Sequence, residues 1–329
     1  MKSLVYTGPN RLVVRDEPDP VPQQDEVLVR VEAVGICGSD MHAYHGFDAR
    51  RPSPLILGHE AAGRIATGPR AGERVTINPL VVDPACPYAI EGRWHLSPTR
   101  QIISMPPRPG AFAELVRIPP RNLTPIPDAM PVVDAALAEP VAVAWHAVRI
   151  GMQRLHQPLA ACRVTVIGGG AIGLAAALVA RHFGARDLLL AETNALRREM
   201  VAAQGFIAYR PGQDEPPDDS IDLVIDAVGA DATRAAACRL ARPGGVIVHI
   251  GLLPGHAGVD IRKITLQEIT LAGVYCYTPV DFAQSVEALA RGRLGALDFT
   301  LQQPLEDGAA AFADIDAGRV SAAKVVLTL

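Results

Sequence analysis

Three kinds of metal-binding side chain occur in short motifs within the first part of the chain. Cys37 opens the motif CGSDMH, His59 and Glu60 follow twenty-two residues after it, and Glu139 lies much further along. Thiolate, imidazole and carboxylate are ligand types that zinc accepts, and three protein ligands with one open position are typical of a catalytic site. Each residue alone is more often structural. The metal prediction therefore depends on the whole set occurring together with the cofactor motif described next.

A glycine-rich turn lies between a short apolar strand and an Ala/Leu-rich helix. Gly168, Gly170 and Gly173 have the spacing G-x-G-x-x-G, directly after the strand RVTVIG. In dinucleotide-binding folds the first glycine forms the tight turn, the second admits the pyrophosphate, and the third lets helix and strand pack closely. The same spacing also occurs in ordinary turns. We assign Ala171 and Ile172, between the last two glycines, to the same cofactor site.

An acidic residue ends the next predicted strand. Glu192 follows the run DLLLA, nineteen residues after Gly173. A carboxylate there accepts hydrogen bonds from the adenosine ribose and repels a 2′-phosphate, which favours NAD over NADP. Two observations oppose this: Arg197 and Arg198 could neutralise a phosphate, and Glu192 could serve only to stabilise a helix start. We also assign Arg197, and Gly251, which follows the strand GVIVHI, to the cofactor site.

Two different residue patterns along the chain predict two domains. Residues 1–146 contain short β-branched runs broken by prolines and glycines, a pattern typical of an antiparallel, barrel-like β domain. Residues 147–274 alternate apolar strands with helical stretches, which predicts βαβ units and a parallel sheet covered on both faces. Residues 275–329 contain one helix and a final strand, KVVLTL, which must pair with the first domain. The predicted fold class is therefore α/β, with a discontinuous β-rich domain.

Composition argues against several other classes of protein. The chain of 329 residues is 49% hydrophobic with a net charge of −4, so no electrostatic case exists for nucleic acid or an anionic membrane. No apolar run approaches the ~20 residues that span a bilayer, and the first residues lack the apolar segment of a signal peptide. Five scattered cysteines do not form a disulfide framework. We therefore expect a cytoplasmic protein.

Together these motifs resemble the zinc-dependent medium-chain dehydrogenase/reductase superfamily, and within it the sorbitol (polyol) and threonine dehydrogenase branch. The motifs that carry the resemblance cover nearly the whole chain in the family's order: GICGSDMH, LGHEAAG, GERVTINP, ALAEPVAVAWHA, VIGGGAIGL and KVVL. The resemblance implies a GroES-like β-rich catalytic domain and a Rossmann domain with a doubly wound parallel sheet. It also implies that Cys37, His59 and Glu139 bind a catalytic zinc, and that Glu60 either ligates this ion or lies beside it. A homo-oligomer, dimer or tetramer, is expected on the same ground.

The resemblance further implies a route for the proton that leaves the alcohol. Ser39 and His42 lie at the positions of the family's hydroxyl-to-imidazole relay, and with Glu60 they form the predicted catalytic set. A histidine with an ordinary pKa of ~6.5 is suited to passing protons to water. The alternatives are a helix-capping hydroxyl for Ser39 and a surface position for His42. We expect Asp40 to hydrogen-bond to His59 and so hold the metal loop.

Two departures from the family's pattern narrow the prediction. Relatives with a second, structural zinc have cysteines at the positions corresponding to 83, 86, 89 and 97. In this chain only position 86 is a cysteine. A structural site needs four nitrogen or sulfur ligands, so we predict one catalytic zinc per chain and no structural zinc. The polyol branch tends to have an arginine where Cys276 lies, and that arginine helps to hold a polyhydroxy substrate. Its absence leaves the polyol assignment open.

The expected reaction is hydride transfer between a secondary alcohol and NAD, with zinc as a Lewis acid on the substrate oxygen. The small-molecule substrate would be a polyol, a sugar alcohol or a sugar acid, and threonine or another amino alcohol is the alternative. Two further alternatives are a zinc-free NADPH reductase of the same superfamily and a non-catalytic NAD(H)-binding protein. The intact set of Cys37, His59 and Glu139 argues against both.

Overall fold

The chain divides into two compact units. A computed structural model describes all its residues, Met1–Leu329. The first unit, here called the β-rich unit, comprises Met1–Glu139, Thr278–Gly292 and Thr300–Leu329, and the second, the α/β unit, comprises Pro140–Tyr277 and Arg293–Phe299. The first boundary thus lies before the predicted division at 146/147. The second boundary lies at 277/278, where the prediction had 274/275. Residues 293–299, predicted to belong to the tail, belong to the α/β unit.

The β-rich unit begins with ten short strands and three short helices. The strands are β1 (Lys2–Gly8), β2 (Arg11–Asp16), β3 (Val27–Gly35), β4 (Leu55–Ile56), β5 (Glu60–Ile65), β6 (Arg74–Ile77), β7 (Leu80–Val81), β8 (Gln101–Ile102), β9 (Leu115–Ile118) and β10 (Leu123–Pro125). The helices are α1 (Gly38–Tyr44), α2 (Pro87–Ile90) and α3 (Val132–Ala136). Strand β3 is antiparallel to both β5 and β9. It is therefore the strand around which this unit is organised.

The apolar core of this unit explains why β3 is held firmly. Side chains of β3 alternate, with Val29 and Val31 buried and Arg30 exposed, as expected for a strand with one face on a core. Deeper in the same core, the ring of Phe112 packs edge-on against Phe312, with 5.9 Å between the ring centroids. Residues of both β3 and β5 belong to this core, so the segments next to these strands start from packed backbone.

The α/β unit is a doubly wound parallel sheet. Its strands are β11 (Arg163–Ile167), β12 (Asp187–Ala191), β13 (Ile207–Tyr209), β14 (Ile221–Asp226), β15 (Ala241–His249) and β16 (Thr270–Gly273). Its helices are α4 (Ala138–Met152), α5 (Ala171–His182), α6 (Ala195–Ala203), α7 (Asp231–Leu240) and α8 (Ile261–Leu266). The strand order is β13-β12-β11-β14-β15-β16 and all pairs are parallel. This is the order of the Rossmann fold, which confirms the predicted fold class.

Helix α4 explains the shifted first boundary. It has fifteen residues, and Gly151 near its end packs closely on the parallel sheet. A Cβ atom at Gly151 would lie 2.9 Å from the Leu223 side chain and 3.2 Å from that of Val248. The helix therefore joins the α/β unit almost from its first turn. Neither this helix nor any other is both long and apolar enough to cross a membrane.

The tail of the chain returns to the β-rich unit. It contains α9 (Pro279–Ala290), β17 (Thr300–Pro304), α10 (Gly308–Asp316) and β18 (Lys324–Thr328). Strand β18 pairs antiparallel with β3, with Leu327 opposite Val34, and parallel with β17. The larger sheet of the unit has the order β10-β6-β5-β3-β18-β17, with β9 also on β3. The predicted return of the final strand to the first domain is therefore present.

Candidate functional site

Strand pairing brings the cysteine motif and the His-Glu motif together. In the antiparallel pair of β3 and β5, Gly35 lies opposite Glu60. Cys37, two residues past the end of β3, therefore lies beside His59 and Glu60 at the start of β5. The ligand atoms of Cys37, His59 and Glu60 all lie within 4.8 Å of one another. A thiolate, an imidazole and a carboxylate at this separation form a donor set that fits zinc.

Two glycines allow this close approach. A Cβ atom at Gly35 would lie 2.1 Å from Oε2 of Glu60, so no larger residue fits opposite the carboxylate. Gly58 has a φ of 88°, in the region that favours glycine. A Cβ atom there would lie 2.6 Å from the ring of Phe112. The backbone at both ends of the cluster is therefore fixed by steric constraints.

A buried lysine pairs with Glu60. Lys324, the first residue of β18, is 2% exposed, and its Nζ donates to both Glu60 carboxylate oxygens at 2.7 and 2.6 Å. It also donates to the Ile36 carbonyl oxygen at 2.9 Å. Burial lowers the pKa of Lys324, but the charges of Glu60, Cys37 and Glu139 outweigh burial and raise it. Lys324 therefore stays a cation beside the cluster.

Lys324 is not identifiable as a site residue from the sequence, because the run KVVLTL indicates only a strand. The available signal was a charged residue at the start of an otherwise apolar strand, and that signal names no partner. Glu60 lies 264 residues earlier in the chain.

Both ring nitrogens of His59 have oxygen neighbours. Nδ1 lies 3.5 Å from Oδ1 of Asp40 and 3.3 Å from Oγ of Ser104, and Nε2 lies 3.4 Å from Oγ of Ser39. Asp40 is fully buried and accepts a hydrogen bond from the backbone N–H of Cys37 at 3.0 Å. The expected contact of Asp40 with His59 is therefore present. It leaves Nε2 as the nitrogen that can face a metal ion.

The charges around His59 favour a cation. Burial lowers the pKa of His59, but the negative charges of Asp40 and Cys37 outweigh it and hold that pKa well above its ordinary value of 6.5. Burial raises the pKa of Asp40, and the charges of His59 and Arg51 together with hydrogen bonds more than reverse this. A ligating imidazole must be neutral, so a bound metal ion would replace the proton that the metal-free site retains.

Glu139 lies near the cluster but is not one of the three residues whose ligand atoms lie close together. It is 8% exposed and occupies the first turn of α4. Its charge contributes to the raised pKa of Lys324. The role of Glu139 as the third zinc ligand stays a prediction.

No hydrogen bond joins the two predicted relay residues. Ser39 contacts His59, whereas His42 is half-buried in the last turn of α1. Burial and the charges of nearby cations such as Arg51 lower the pKa of His42, and Asp48 acts in the opposite direction. A relay from Ser39 to His42 therefore needs a bridging hydroxyl group or a water molecule.

Hydrogen bonds hold together the lobe in which some relatives bind a structural zinc. The thiol of Cys86 lies 3.6 Å from Oγ of Ser97 and accepts the backbone N–H of Ala89 at 3.4 Å. Asp83 accepts the backbone N–H of Ala85 at 2.9 Å. The residues at positions 83, 86, 89 and 97 thus take part in local hydrogen bonds, and these bonds need no metal ion. The predicted absence of a structural zinc stays a prediction.

The glycine turn has the shape that a dinucleotide needs. Gly168 has a φ of 101°, and a Cβ atom at Gly173 would lie 1.7 Å from the Gly168 carbonyl oxygen. A Cβ atom at Gly170 would instead meet nothing within 4 Å, so the space in front of α5 is open. Ala171 and Ile172 form the first turn of α5, where backbone N–H groups can bind phosphate. These residues fit a dinucleotide pyrophosphate.

Glu192 is buried and hydrogen-bonded to the glycine turn. Its Oε2 accepts the backbone N–H of Gly169 at 2.9 Å, and its Oε1 accepts that of Asn194 at 2.8 Å. Glu192 therefore has the structural role that was its alternative interpretation, because it links the glycine turn to the start of α6 by hydrogen bonds. Oε2 keeps a second lone pair, so a ribose hydroxyl can still donate to it.

The neighbouring Arg197 and Arg198 differ in their hydrogen bonds. Arg198 donates to the Glu192 carbonyl oxygen at 3.0 Å, whereas the Nε of Arg197 is buried and makes no hydrogen bond. On the second half of the sheet, the backbone N–H of Gly251 donates to the Asp226 carbonyl oxygen at 3.1 Å. The buried Nε of Arg197 is therefore a donor without a partner in the protein.

Comparison with known proteins gives the family. The profile of the alcohol dehydrogenase GroES-like domain matches residues 23–128, and that of the zinc-binding dehydrogenase matches residues 171–291. L-galactonate-5-dehydrogenase of Escherichia coli K12 is 31% identical over 311 residues, which cover 90% of this chain and 89% of that protein. This chain belongs to the zinc-dependent medium-chain dehydrogenase superfamily. It is an oxidoreductase that transfers a hydride between an alcohol and a nicotinamide cofactor.

Other members of the superfamily differ in substrate and cofactor. L-threonine 3-dehydrogenase of Xanthomonas oryzae pv. oryzae is 30% identical, covering 100% of this chain and 99% of that protein. A solved alcohol dehydrogenase from E. coli CFT073 complexed with NADH has a TM-score of 0.89 and 26% identity, covering 100% and 99% of the two chains. A zinc-binding dehydrogenase from Sinorhizobium meliloti bound to NADP has the same values. The fold is therefore shared by enzymes that bind either cofactor.

Two glycine substitutions should separate folding from cofactor binding. Gly173→Ala places a methyl group against the Gly168 carbonyl oxygen and should cost at least ~1–3 kcal/mol of unfolding free energy. Gly170→Ala should change stability by less than ~1 kcal/mol, since the methyl group meets no atom, yet weaken NADH binding about tenfold or more. Urea unfolding and NADH fluorescence titration measure the two effects. Equal losses of stability in both variants would contradict this assignment.

Removal of the buried lysine should destabilise the metal-free protein. In Lys324→Met the Glu60 carboxylate stays buried without its partner, which should cost ~3–5 kcal/mol. Adding Glu60→Gln should recover much of that loss. Urea unfolding after chelation measures this, and Lys2→Met, which removes an exposed lysine paired with Glu306, should leave stability unchanged. If the double variant were less stable than Lys324→Met, the ion pair would not be the cause.

The lowered pKa of His42 predicts a specific pH dependence. Because its pKa lies below 6.5, His42 stays neutral and able to accept a proton until the pH falls below that value. His42→Gln should therefore slow alcohol oxidation about tenfold or more at pH ~8. The ratio of wild-type to variant kcat/KM should then decline as the pH falls below ~6.5. His45→Gln, which removes the partner of Asp316, is the matched control. A ratio independent of pH would exclude His42 from the relay.

Proposed function

We propose that the chain oxidises a polyol, a sugar alcohol or a sugar acid with NAD, using one zinc ion per chain. The observation that carries this proposal is the cluster of Cys37, His59 and Glu60, whose ligand atoms lie within 4.8 Å of one another. The similarity to L-galactonate-5-dehydrogenase supports the inclusion of sugar acids. Cys276, in place of an arginine, is a reason not to restrict the substrate to polyols.

The proposed zinc ligands are Cys37, His59 and Glu139. When bound, zinc supplies a Lewis acid that stabilises negative charge on the substrate oxygen. Asp40 orients the imidazole of His59 by its contact with Nδ1 and so leaves Nε2 for the metal. Glu60 is proposed to lie beside the ion rather than to bind it permanently, because Lys324 donates to both of its oxygens.

Ser39 and His42 are proposed to carry the proton away from the alcohol. Ser39 Oγ lies 3.4 Å from Nε2 of His59, the nitrogen proposed to face the metal, so its hydroxyl is the group of the relay nearest to the ligand atoms. The alcohol proton passes to Ser39 as Ser39 gives up its own. His42 then receives a proton through a bridging hydroxyl group or water and releases it to solvent.

The proposed cofactor is NAD. Gly168, Gly170 and Gly173 would bind the pyrophosphate together with the start of α5, whose first turn contains Ala171 and Ile172. Glu192 supports NAD because its buried carboxylate would repel a 2′-phosphate. The free donor of Arg197 and the NADP-bound neighbour are the observations that oppose this choice, and Gly251 is proposed to contact the other half of the cofactor.

Dehydrogenation of threonine or another amino alcohol is the second candidate. It is favoured by the L-threonine 3-dehydrogenase that matches this chain over its whole length. We also propose a cytoplasmic homo-oligomer, dimer or tetramer. This part rests on the superfamily and on no residue described above.

A substrate panel with metal analysis tests the proposal. The purified protein should contain one zinc per chain and should reduce NAD faster than NADP with sorbitol, xylitol or L-galactonate, and more slowly with L-threonine. Cys37→Ser should lose both zinc and turnover, and Cys86→Ser is the matched control, because that thiol only makes hydrogen bonds within its lobe. Two zinc ions per chain, a preference for NADP, or full turnover in Cys37→Ser or Glu139→Ala would each contradict one part of the proposal.

A further inference from the structure

Arg51 is a buried cation beside the proposed zinc ligands. The proposed reaction gives it no role. It lies in the loop between α1 and β4 and is 3% exposed. Its charge is balanced by Asp48, whose Oδ2 lies 2.7 Å from Nη1. A buried arginine needs partners for all its N–H groups, since each unpaired donor costs free energy. The partners that this arginine has are therefore informative.

All five N–H groups of Arg51 point at acceptors of the protein. Nε donates to the Ser104 carbonyl oxygen at 3.1 Å, and Nη1 donates to Asp48 and to the Ser39 carbonyl oxygen at 3.3 Å. Nη2 donates to Oγ of Ser39 at 3.3 Å and lies 3.5 Å from Oγ of Ser104. The guanidinium group has no donor left for a substrate carboxylate. Its role must therefore act through the residues that it holds.

The two serines bound by Arg51 flank the same imidazole. Ser104 Oγ lies 3.3 Å from Nδ1 of His59 and Ser39 Oγ lies 3.4 Å from Nε2. One planar, rigid group thus fixes a hydroxyl on each side of the His59 ring. Lysine could not do this, because its ammonium group is a single point with no fork.

The direction of these hydrogen bonds constrains what Ser39 can do. A guanidinium group only donates, so one of the two lone pairs of Ser39 Oγ is occupied by Arg51. If Nε2 of His59 faces a metal ion, its contact with Ser39 Oγ would no longer be a hydrogen bond, and one lone pair and the hydroxyl proton would remain. A relay needs these two: the lone pair accepts the proton when the alcohol O–H bond breaks, and the original Ser39 proton leaves to the next acceptor. The number of protons on Ser39 is unchanged by the step.

We propose that Arg51 is a positioning residue that holds the Ser39 hydroxyl in the orientation required for proton transfer from the substrate alcohol. This inference rests on the relay of the proposed function. It predicts that Arg51 affects the proton-transfer step through Ser39, and that its contacts with Ser104 contribute little to cofactor or metal affinity.

A double-mutant cycle tests the proposal, using the best substrate of the panel. Arg51→Met and Ser39→Ala should each lower kcat about tenfold to a hundredfold, with the KM for NAD changed less than threefold. The double variant should be no slower than Ser39→Ala, since the hydroxyl group that Arg51 is proposed to position is absent from both. The solvent isotope effect on kcat should rise in Arg51→Met. Additive losses in the cycle, or an unchanged isotope effect, would overturn the proposal.

Zinc affinity and a matched arginine variant separate positioning from structural support. Chelator competition should give Arg51→Met a zinc affinity within about tenfold of the wild type, and outright loss of zinc would overturn the proposal in favour of a structural role. Arg50→Gln removes the exposed arginine that also pairs with Asp48 and should keep the wild-type kcat. If Arg51→Met does not fold, Arg51→Lys decides, because it keeps the charge beside Asp48 and loses the fork.

The outcomes also distinguish this inference from the proposed function. If the wild type oxidises the alcohol and Ser39→Ala is slow while both Arg51 variants are fast, only the role of Arg51 is wrong. If Ser39→Ala has the wild-type kcat, the relay of the proposed function is wrong and the role of Arg51 falls with it.

Discussion

The structure of the candidate site depends on how buried negative charge is compensated. The thiol of Cys37 and the carboxyl groups of Asp40, Glu60 and Glu139 lie in or beside one small region, with the three carboxyl groups almost wholly out of contact with solvent. Buried anions are costly unless a cation or several hydrogen bonds stabilise them. Lys324 supplies one positive charge, and the charges of Asp40 and Cys37 raise the pKa of His59 despite its burial. A divalent ion would supply further positive charge there.

The cations reach this region because of strand register. Gly35 of β3 lies opposite Glu60 of β5 and, on its other side, opposite Val326 of β18. Lys324 lies two residues before Val326, and its ammonium group reaches the Glu60 carboxylate. A shift by one residue in either pair would turn the charged side chains to the opposite face of the sheet. The ion pair and the register therefore specify each other. Arg51, in contrast, reaches its partners from a loop, and the fork geometry of its side chain does the positioning.

Local patterns predicted a good part of this molecule. The alternation of strands and helices gave the parallel sheet, and the glycine spacing gave a turn in which Gly173 packs directly on Gly168. The motif containing Cys37 and the one containing His59 were found because their chemistry is evident residue by residue. The family resemblance then assigned both motifs to one metal site.

What the sequence could not supply was the pairing of distant or ambiguous charges. Lys324 begins a strand, and nothing near it indicates Glu60 as its partner. Arg51 lies in the polar segment DARRPSP, where an exposed arginine is the ordinary expectation, yet its neighbour Arg50 is the exposed one. The first domain boundary was misplaced because α4 belongs by contact to the sheet that follows it. These features depend on tertiary packing, which composition and periodicity do not contain.

The distance in sequence between Glu60 and Lys324 sets an order of events during synthesis. Strands β3 and β5 leave the ribosome long before β18, so the nascent β-rich unit holds a carboxylate that no part of the emerged chain can neutralise in the native way. The buried ion pair can form only after the last strand is made. We therefore expect a chain that stops short of Lys324 to leave Glu60 without its buried partner and to be less stable than the full chain.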